Sequence, residues 1–158
     1  MDYNKSQLLE AVSVQLGAKL EGIRGAAEVA RVDSIAAEGR MQSRYDSAKE
    51  ELGALADRFN IRGGEVDLGL RLLAECPLPL KSTIIELGAI ATLELLGKDQ
   101  LMDYFILPYG GGTRVAGPAR EILVVIPESP IAEAMWGKRE GSVFVTRSQK
   151  NYKIREIR

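Results

Sequence analysis

Residues 32–40, VDSIAAEGR, lie between two long amphipathic patterns and constrain the fold more than any other stretch. Before them, apolar or small residues recur every three or four positions, as one stripe of a helix requires, at Leu8, Val12, Leu16, Leu20, Ile23, Ala27 and Ala30. After them the stripe resumes at heptad spacing, at Tyr45, Ala48, Leu52, Leu55 and Phe59. Asp33, Ser34 and Gly39 disfavour a helix interior between the two stripes. The sequence therefore predicts an antiparallel helical hairpin, a coiled coil with its tip at residues 32–41.

The composition restricts the kinds of partner and chemistry. Lys and Arg number 21 against 22 Asp and Glu, and this near-neutral balance argues against bare nucleic acid as the main partner. One cysteine and no histidine exclude an internal disulfide and the usual zinc sites. No uncharged run approaches the roughly 20 residues that span a bilayer, and no N-terminal signal pattern is present. We expect a cytoplasmic protein without a membrane partner.

Two prolines divide the chain. The helical pattern of the second arm continues past Gly63 and Gly64 to about residue 75, and the following CPLPLK segment cannot be helical. The predicted domains are the hairpin at residues 1–75, a linker at 76–83 and a sheet domain at 84–158.

Beyond the linker, the pattern changes from helical to extended. Predicted strands cover residues 87–96, 102–107, 121–126, 143–146 and 152–157. The third is apolar enough to be central to a sheet. Ser129 followed by Pro130 is a strong helix start, and Gly137 closes a short helix over residues 131–136. Three glycines at 110–112 suggest a phosphate loop, but no Gly-Lys-Ser/Thr follows, so an inter-strand loop is favoured. The fold class is α+β, a helical hairpin followed by a small, mostly antiparallel sheet with one short helix.

Three stretches resemble one protein family. SPIAEAMWGKREGSVFV at 129–145 and YKIREI at 152–157 are similar to the end of the bacterial transcript-cleavage factors GreA and GreB. YDSAKE at 45–50 resembles the start of that family's second helix. The order of hairpin, linker and sheet matches as well, so the resemblance covers essentially the whole chain. It implies that the sheet domain is FKBP-like.

The resemblance implies a partner, RNA polymerase. Such factors dock on the rim of the polymerase's secondary channel and insert their hairpin toward the catalytic centre, which implies contact with the 3′ end of the nascent RNA. They are not enzymes by themselves: acids at the tip help hold the second Mg²⁺ and a water, and the polymerase cuts its own transcript. We therefore expect no cofactor, no metal bound by the chain alone and no free small-molecule substrate.

The resemblance also implies site residues. Counting back from Tyr45 places the two family acids at Glu38 and Met41, so one carboxylate is kept and the other is replaced, with Asp33 as a second candidate. The basic residues around the tip are Arg31, Arg40 and Arg44. The polymerase-binding element corresponds to Ser129, Pro130 and Ile131. Each of these residues also has a plain interpretation, as helix-end charges, a solvated helix face or a helix start.

Other functions remain open. Because Met41 replaces an acid, the protein could block the channel without promoting cleavage. A peptidyl-prolyl isomerase of the FKBP type would need an aromatic-lined pocket, and the candidate aromatics are Tyr104, Phe105, Tyr109, Trp136, Phe144 and Tyr152. A helical-hairpin adaptor for another complex is the third alternative.

Overall fold

The computed structural model describes residues 3–36 and 45–158. Its helices and strands, in chain order, are α1 (Lys5–Ala36), α2 (Tyr45–Ala74), β1 (Ile90–Leu95), β2 (Gln100–Ile106), β3 (Arg114–Ala116), β4 (Glu121–Val125), α3 (Pro130–Met135), β5 (Val143–Val145) and β6 (Asn151–Ile157). Among these described helices, none is both long and apolar enough to cross a membrane.

The contacts divide the chain into two compact units. The sheet unit comprises Met1–Gln15 and Arg71–Arg158, and the hairpin unit comprises Leu16–Leu70. Each unit contains part of α1 and part of α2.

The hairpin unit pairs α1 with α2 in antiparallel fashion. A Cβ atom placed on Gly63 would lie 3.6 Å from side-chain atoms of both Leu20 and Ile23. Nearer the other end of the pair, the Ser34 hydroxyl donates to the carbonyl of Lys49 at 3.4 Å. The middle of α1 therefore meets the later half of α2, and the end of α1 meets the start of α2, which confirms the predicted hairpin. The predicted start of the second arm near Met41 lies outside the described residues.

The stripe predicted for α1 is confirmed, since Leu16, Leu20, Ala27 and Ala30 are all buried. The seam predicted for α2 is wrong at one position. Ala56 is buried, at 8% exposure, whereas Leu55 is 38% exposed. Counting back from the buried Gly63 and Val66 in steps of four and three gives Phe59, Ala56 and Leu52. Ala56 is smaller than its neighbour Leu55, and a count based on the larger side chain therefore selects the neighbouring position.

The sheet has six strands in the order β3-β4-β2-β1-β6-β5. All neighbours are antiparallel except β2 and β4, which pair in parallel with Asp103 opposite Ile122. The register between β1 and β6 shifts between Thr92 and Leu93, which marks a bulge. β4 lies between β3 and β2, in agreement with its predicted interior position.

Both faces of the sheet are buried. One face packs with α3 in a cluster that includes Leu93, Ile106, Met135 and Ile154. By strand alternation Ile90, Phe105, Ile122 and Val124 point to the other face, and their exposure is zero. Gln15 of α1 donates through Nε2 to the carbonyl of Arg114 in the edge strand β3 at 2.9 Å. Leu8 and Val12 of α1 and Leu73 of α2 supply buried apolar surface in the same unit.

A buried carboxylate joins distant parts of the sheet unit. Asp103 Oδ1 accepts from Thr92 Oγ1 at 2.7 Å and from Arg120 Nη1 at 2.8 Å, and its Oδ2 accepts from the Tyr3 hydroxyl at 2.6 Å. Arg158 Nη1 donates to Thr92 Oγ1 at 3.0 Å, and the Arg158 guanidinium lies 4.3 Å from the centre of the Tyr3 ring. The side chain of Asp103 is wholly buried, so these donors are what makes its burial tolerable.

The first predicted strand begins at Ile90 rather than at Leu87 because Gly88 interrupts it. Gly88 has φ +79°, and a Cβ there would lie 1.9 Å from the carbonyl oxygen of Pro77. Only glycine therefore allows the 77–79 segment to pack against the start of β1.

We expect Gly88→Ala to destabilise the protein by about 3 kcal/mol or more, since it adds a backbone collision to the strain of positive φ. Gly97→Ala is the matched control, because Gly97 has φ +87° with no atom within 4 Å of its Cβ position. It should cost only about 1 kcal/mol. Chemical denaturation of both variants measures the difference, and equal losses would contradict the predicted collision.

Stability should also fall at alkaline pH because of Tyr104. Burial, reinforced by the charge of Tyr152, raises the pKa of Tyr104 from 10.0 to about 12. Between these values the unfolded chain has lost the phenolic proton and the folded chain has kept it, so folding stability decreases as pH rises. The loss should approach about 2 kcal/mol. Denaturation between pH 9 and 12 should show a steeper loss for the wild type than for Tyr104→Phe, and parallel curves would refute the assignment.

Candidate functional site

The first candidate site is the end of the hairpin. Arg31 and Asp33 lie in the last turns of α1 and are exposed. The other predicted tip residues, Glu38, Arg40 and Arg44, lie outside the described residues. Within the described ranges, no group of three or more Asp, Glu and Cys side chains is arranged to hold a metal ion. Asp33 is therefore placed at the candidate site, but not in a described metal-binding cluster.

The Arg31 guanidinium forms a two-point contact with Glu28. Nε donates to Oε2 at 2.9 Å and Nη2 donates to Oε1 at 2.7 Å. The hydrogen bond from Arg31 lowers the pKa of the Glu28 carboxyl below its usual value. Both side chains are more than half exposed, and such exposed pairs exchange readily for other partners. An anionic ligand could compete with Glu28 for this guanidinium.

Apolar side chains are exposed on the same turns. Val29, Val32 and Ile35 are 61%, 49% and 52% exposed. Several such residues close together on a helix end are typical of a contact surface. The end of α1 thus presents both a carboxylate, Asp33, and an apolar surface.

The second candidate site is the start of α3. The Ser129 hydroxyl accepts from the backbone N–H of Ala132 at 3.4 Å and donates to the carbonyl of Ile126 at 2.8 Å. Pro130 occupies the first turn of the helix, where its missing N–H costs nothing, and is exposed. Ile131 is partly buried against the core cluster. The predicted element is therefore an ordered, capped helix start with Pro130 at the surface.

The other end of α3 carries an exposed aromatic residue. Trp136 is 45% exposed and is the only tryptophan of the sequence. It lines an open groove of about 560 Å³ together with Pro77, Leu78, Pro79, Glu86 and Leu87. The sequence named Trp136 only as one of six candidate aromatic residues for an isomerase pocket. A lone tryptophan directly before the Gly137 that ends a helix was the available signal for an exposed position.

Four of the other candidate aromatic residues lie in the core, while Tyr109 is half-buried. Tyr104, Phe105, Phe144 and Tyr152 are buried, with exposures of 7% or less. Phe144 and Tyr152 stack on each other with ring centres 5.7 Å apart. These side chains form the core on both faces of the sheet, so they are not available to line the substrate pocket that an isomerase needs.

Comparison with protein-family models finds no match. Comparison with curated proteins finds none either. Among solved structures, a structure of the transcription factor Gfh1 is 17% identical over 92% of both chains, with a TM-score of 0.40. GreA factor homolog 1 (Gfh1) of Thermus thermophilus is 14% identical over 95% of this chain and 94% of that one, with a TM-score of 0.39. Gfh1 of Thermus aquaticus is 18% identical over 94% of both chains, also with a TM-score of 0.39.

Ser129→Ala should lower the free energy of unfolding by about 1 kcal/mol, because the N–H of Ala132 loses its acceptor. Ser129→Asp keeps an acceptor at the same position and should recover most of this loss. Chemical denaturation distinguishes the two variants. If alanine and aspartate behaved alike, the hydroxyl would not be acting as a helix cap.

Proposed function

We propose that the protein is a Gre-like transcription factor that binds RNA polymerase. One observation carries the proposal: the family's Ser-Pro-Ile element, at Ser129, Pro130 and Ile131, forms the start of a capped helix on a sheet unit, in a chain that also forms a helical hairpin. The motif alone would be a competent helix start in any protein. Its occurrence at the surface, with Pro130 exposed, supports a role in contact.

In this proposal, the hairpin enters the polymerase's secondary channel. The exposed Val29, Val32 and Ile35 support a buried position for the end of α1 in a complex, because free apolar surface of this kind is stabilised by a partner. The near-neutral charge of the chain supports a protein partner over bare nucleic acid.

The tip would act through its carboxylates. In a two-metal site, Mg²⁺ takes oxygen ligands and keeps several waters, so a single carboxylate can complete its shell. Glu38 and Asp33 are the acids proposed for this role, and the polymerase would supply the remaining ligands. Arg31 would exchange its exposed contact with Glu28 for the phosphate at the RNA 3′ end. The chain itself would not hydrolyse RNA.

A cleavage assay on backtracked elongation complexes tests the proposal. With end-labelled RNA, wild-type protein should shorten the transcript and Glu38→Ala should abolish most of the effect. Asp33→Ala should weaken cleavage if its carboxylate shares the metal, and should leave it unchanged if Glu38 acts alone. Glu10→Ala is the matched control, because Glu10 is an exposed acid of α1 in the sheet unit, not at the tip.

Competition with a known channel-binding factor separates the alternatives. Competition without RNA shortening would show that the protein blocks the channel and does not promote cleavage. No binding to polymerase by the wild type would overturn the proposal and leave the hairpin adaptor.

A further inference from the structure

The groove beside Trp136 has two polar groups that form no hydrogen bond or ion pair with the described residues. Among the described residues, nothing forms a hydrogen bond or ion pair with the Glu86 carboxylate, and nothing accepts from the Trp136 indole N–H. Glu86 is half-buried, and it is the charged member of a lining that is otherwise proline, leucine and tryptophan. A carboxylate in such surroundings is stabilised by a cationic partner.

The neighbouring Lys5 does not fill this role. Its Nζ donates to the carbonyl of Pro79 at 2.6 Å. Burial lowers the pKa of Lys5, and the negative charge of Glu86 opposes that shift. Lys5 therefore feels the charge of Glu86 while its hydrogen bond goes to the backbone.

The walls of the groove are fixed by backbone contacts. The N–H of Trp136 donates to Ala132, and the next N–H, of Gly137, donates to Ile85 at 2.9 Å. Ile85 in turn donates to the carbonyl of Lys138 at 2.8 Å. These bonds hold the end of α3 against the segment that carries Glu86. Pro77, Leu78 and Pro79 form the opposite wall of the groove, and the close approach of Pro77 to Gly88 holds it in place. The site is thus preorganised, which lowers the entropic cost of binding.

We propose that this groove binds a basic side chain, an arginine of the polymerase, stacked on Trp136 and paired with Glu86. The identity of the partner rests on the proposed function. Arginine suits the site because its planar guanidinium can stack on an indole while donating to a carboxylate, which the compact lysine ammonium does less well. The groove volume exceeds that of one side chain, so neighbouring apolar residues of the partner pack on Pro77 and Pro79.

The exposed aromatic residue is the main contact surface of the groove. Trp136 is 45% exposed and lies in the same lining as the half-buried Glu86. An exposed tryptophan beside a half-buried carboxylate is the arrangement of an interface anchor.

Equilibrium binding to core polymerase tests the inference. Trp136→Ala should weaken binding about tenfold, and Trp136→Phe should retain part of the affinity because an aromatic face remains. Glu86→Gln, which keeps shape and removes charge, should weaken binding about threefold at low salt and less at high salt. Glu10→Gln is the control for a lost exposed charge elsewhere on the sheet unit. Because both groups would hold one side chain, the double variant should lose less than the product of the single losses.

A second experiment tests the groove without polymerase. Trp136 is the only tryptophan, so its fluorescence reports on the groove directly. A blocked hexapeptide with one arginine should change this fluorescence at millimolar concentration, and the same peptide with citrulline, the uncharged isostere, should not. Glu86→Gln should weaken the arginine response at least threefold.

The outcomes separate the two proposals. Wild-type affinity for polymerase in the Trp136 and Glu86 variants would overturn the arginine site and leave the proposed function standing. If the wild type did not bind polymerase, the proposed function would fail. The peptide titration would then show by itself whether the groove binds an arginine side chain. Equal responses to arginine and citrulline would then overturn the site.

Discussion

The buried carboxylate of Asp103 is the interaction on which the sheet unit most depends. Its donors come from before α1, from β1 and from the turn before β4, and Thr92 extends the network to Arg158. A wholly buried carboxylate without these donors would cost several kcal/mol, so the network disfavours arrangements in which these segments separate. The position of the start of α1 on the sheet is therefore specified by polar contacts as well as by the burial of Leu8 and Val12. Apolar burial alone is non-directional and would permit neighbouring registers.

The hairpin unit depends on an apolar seam instead. Gly63 and Ala56 occupy seam positions, and a Cβ at Gly63 would be in ordinary van der Waals contact with Leu20 and Ile23. α2 continues through Gly63 and Gly64 without interruption despite the low helix propensity of glycine, because helices in proteins are stabilised mainly by packing of an amphipathic face. The hairpin and the α1 stripe were predictable, because periodicity persists over many turns. The α2 seam was not fully predictable, because hydrophobic size favoured Leu55 over Ala56.

In the sheet unit, the sequence was informative where a signal is local. Ser129 and Pro130 mark the start of α3, and runs of apolar, β-branched and aromatic residues mark β1, β2, β4, β5 and β6. β3 has one large apolar residue, Val115, among its three, so no such run marks it. The parallel pairing of β2 with β4 depends on the path of the chain between the two strands. The Asp103 network joins residues that are up to 100 positions apart, and the groove joins Pro77 to Trp136. No spacing along the chain encodes such contacts, so neither was predictable before the fold was known.

The two ends of α3 combine structural roles with the contact roles proposed for them. Ser129 caps the first turn and so fixes where Pro130 is exposed, while the backbone bonds of Trp136 and Gly137 fix where the indole lies. A helix of six residues has little stability of its own, so its orientation is set by these end contacts and by the burial of Ala132 and Met135. Side chains on such an element are held by the sheet beneath it and lose little freedom when a partner binds. A surface element fixed at both ends is a better basis for recognition than an equally exposed loop, because it is already in its binding conformation before the partner arrives.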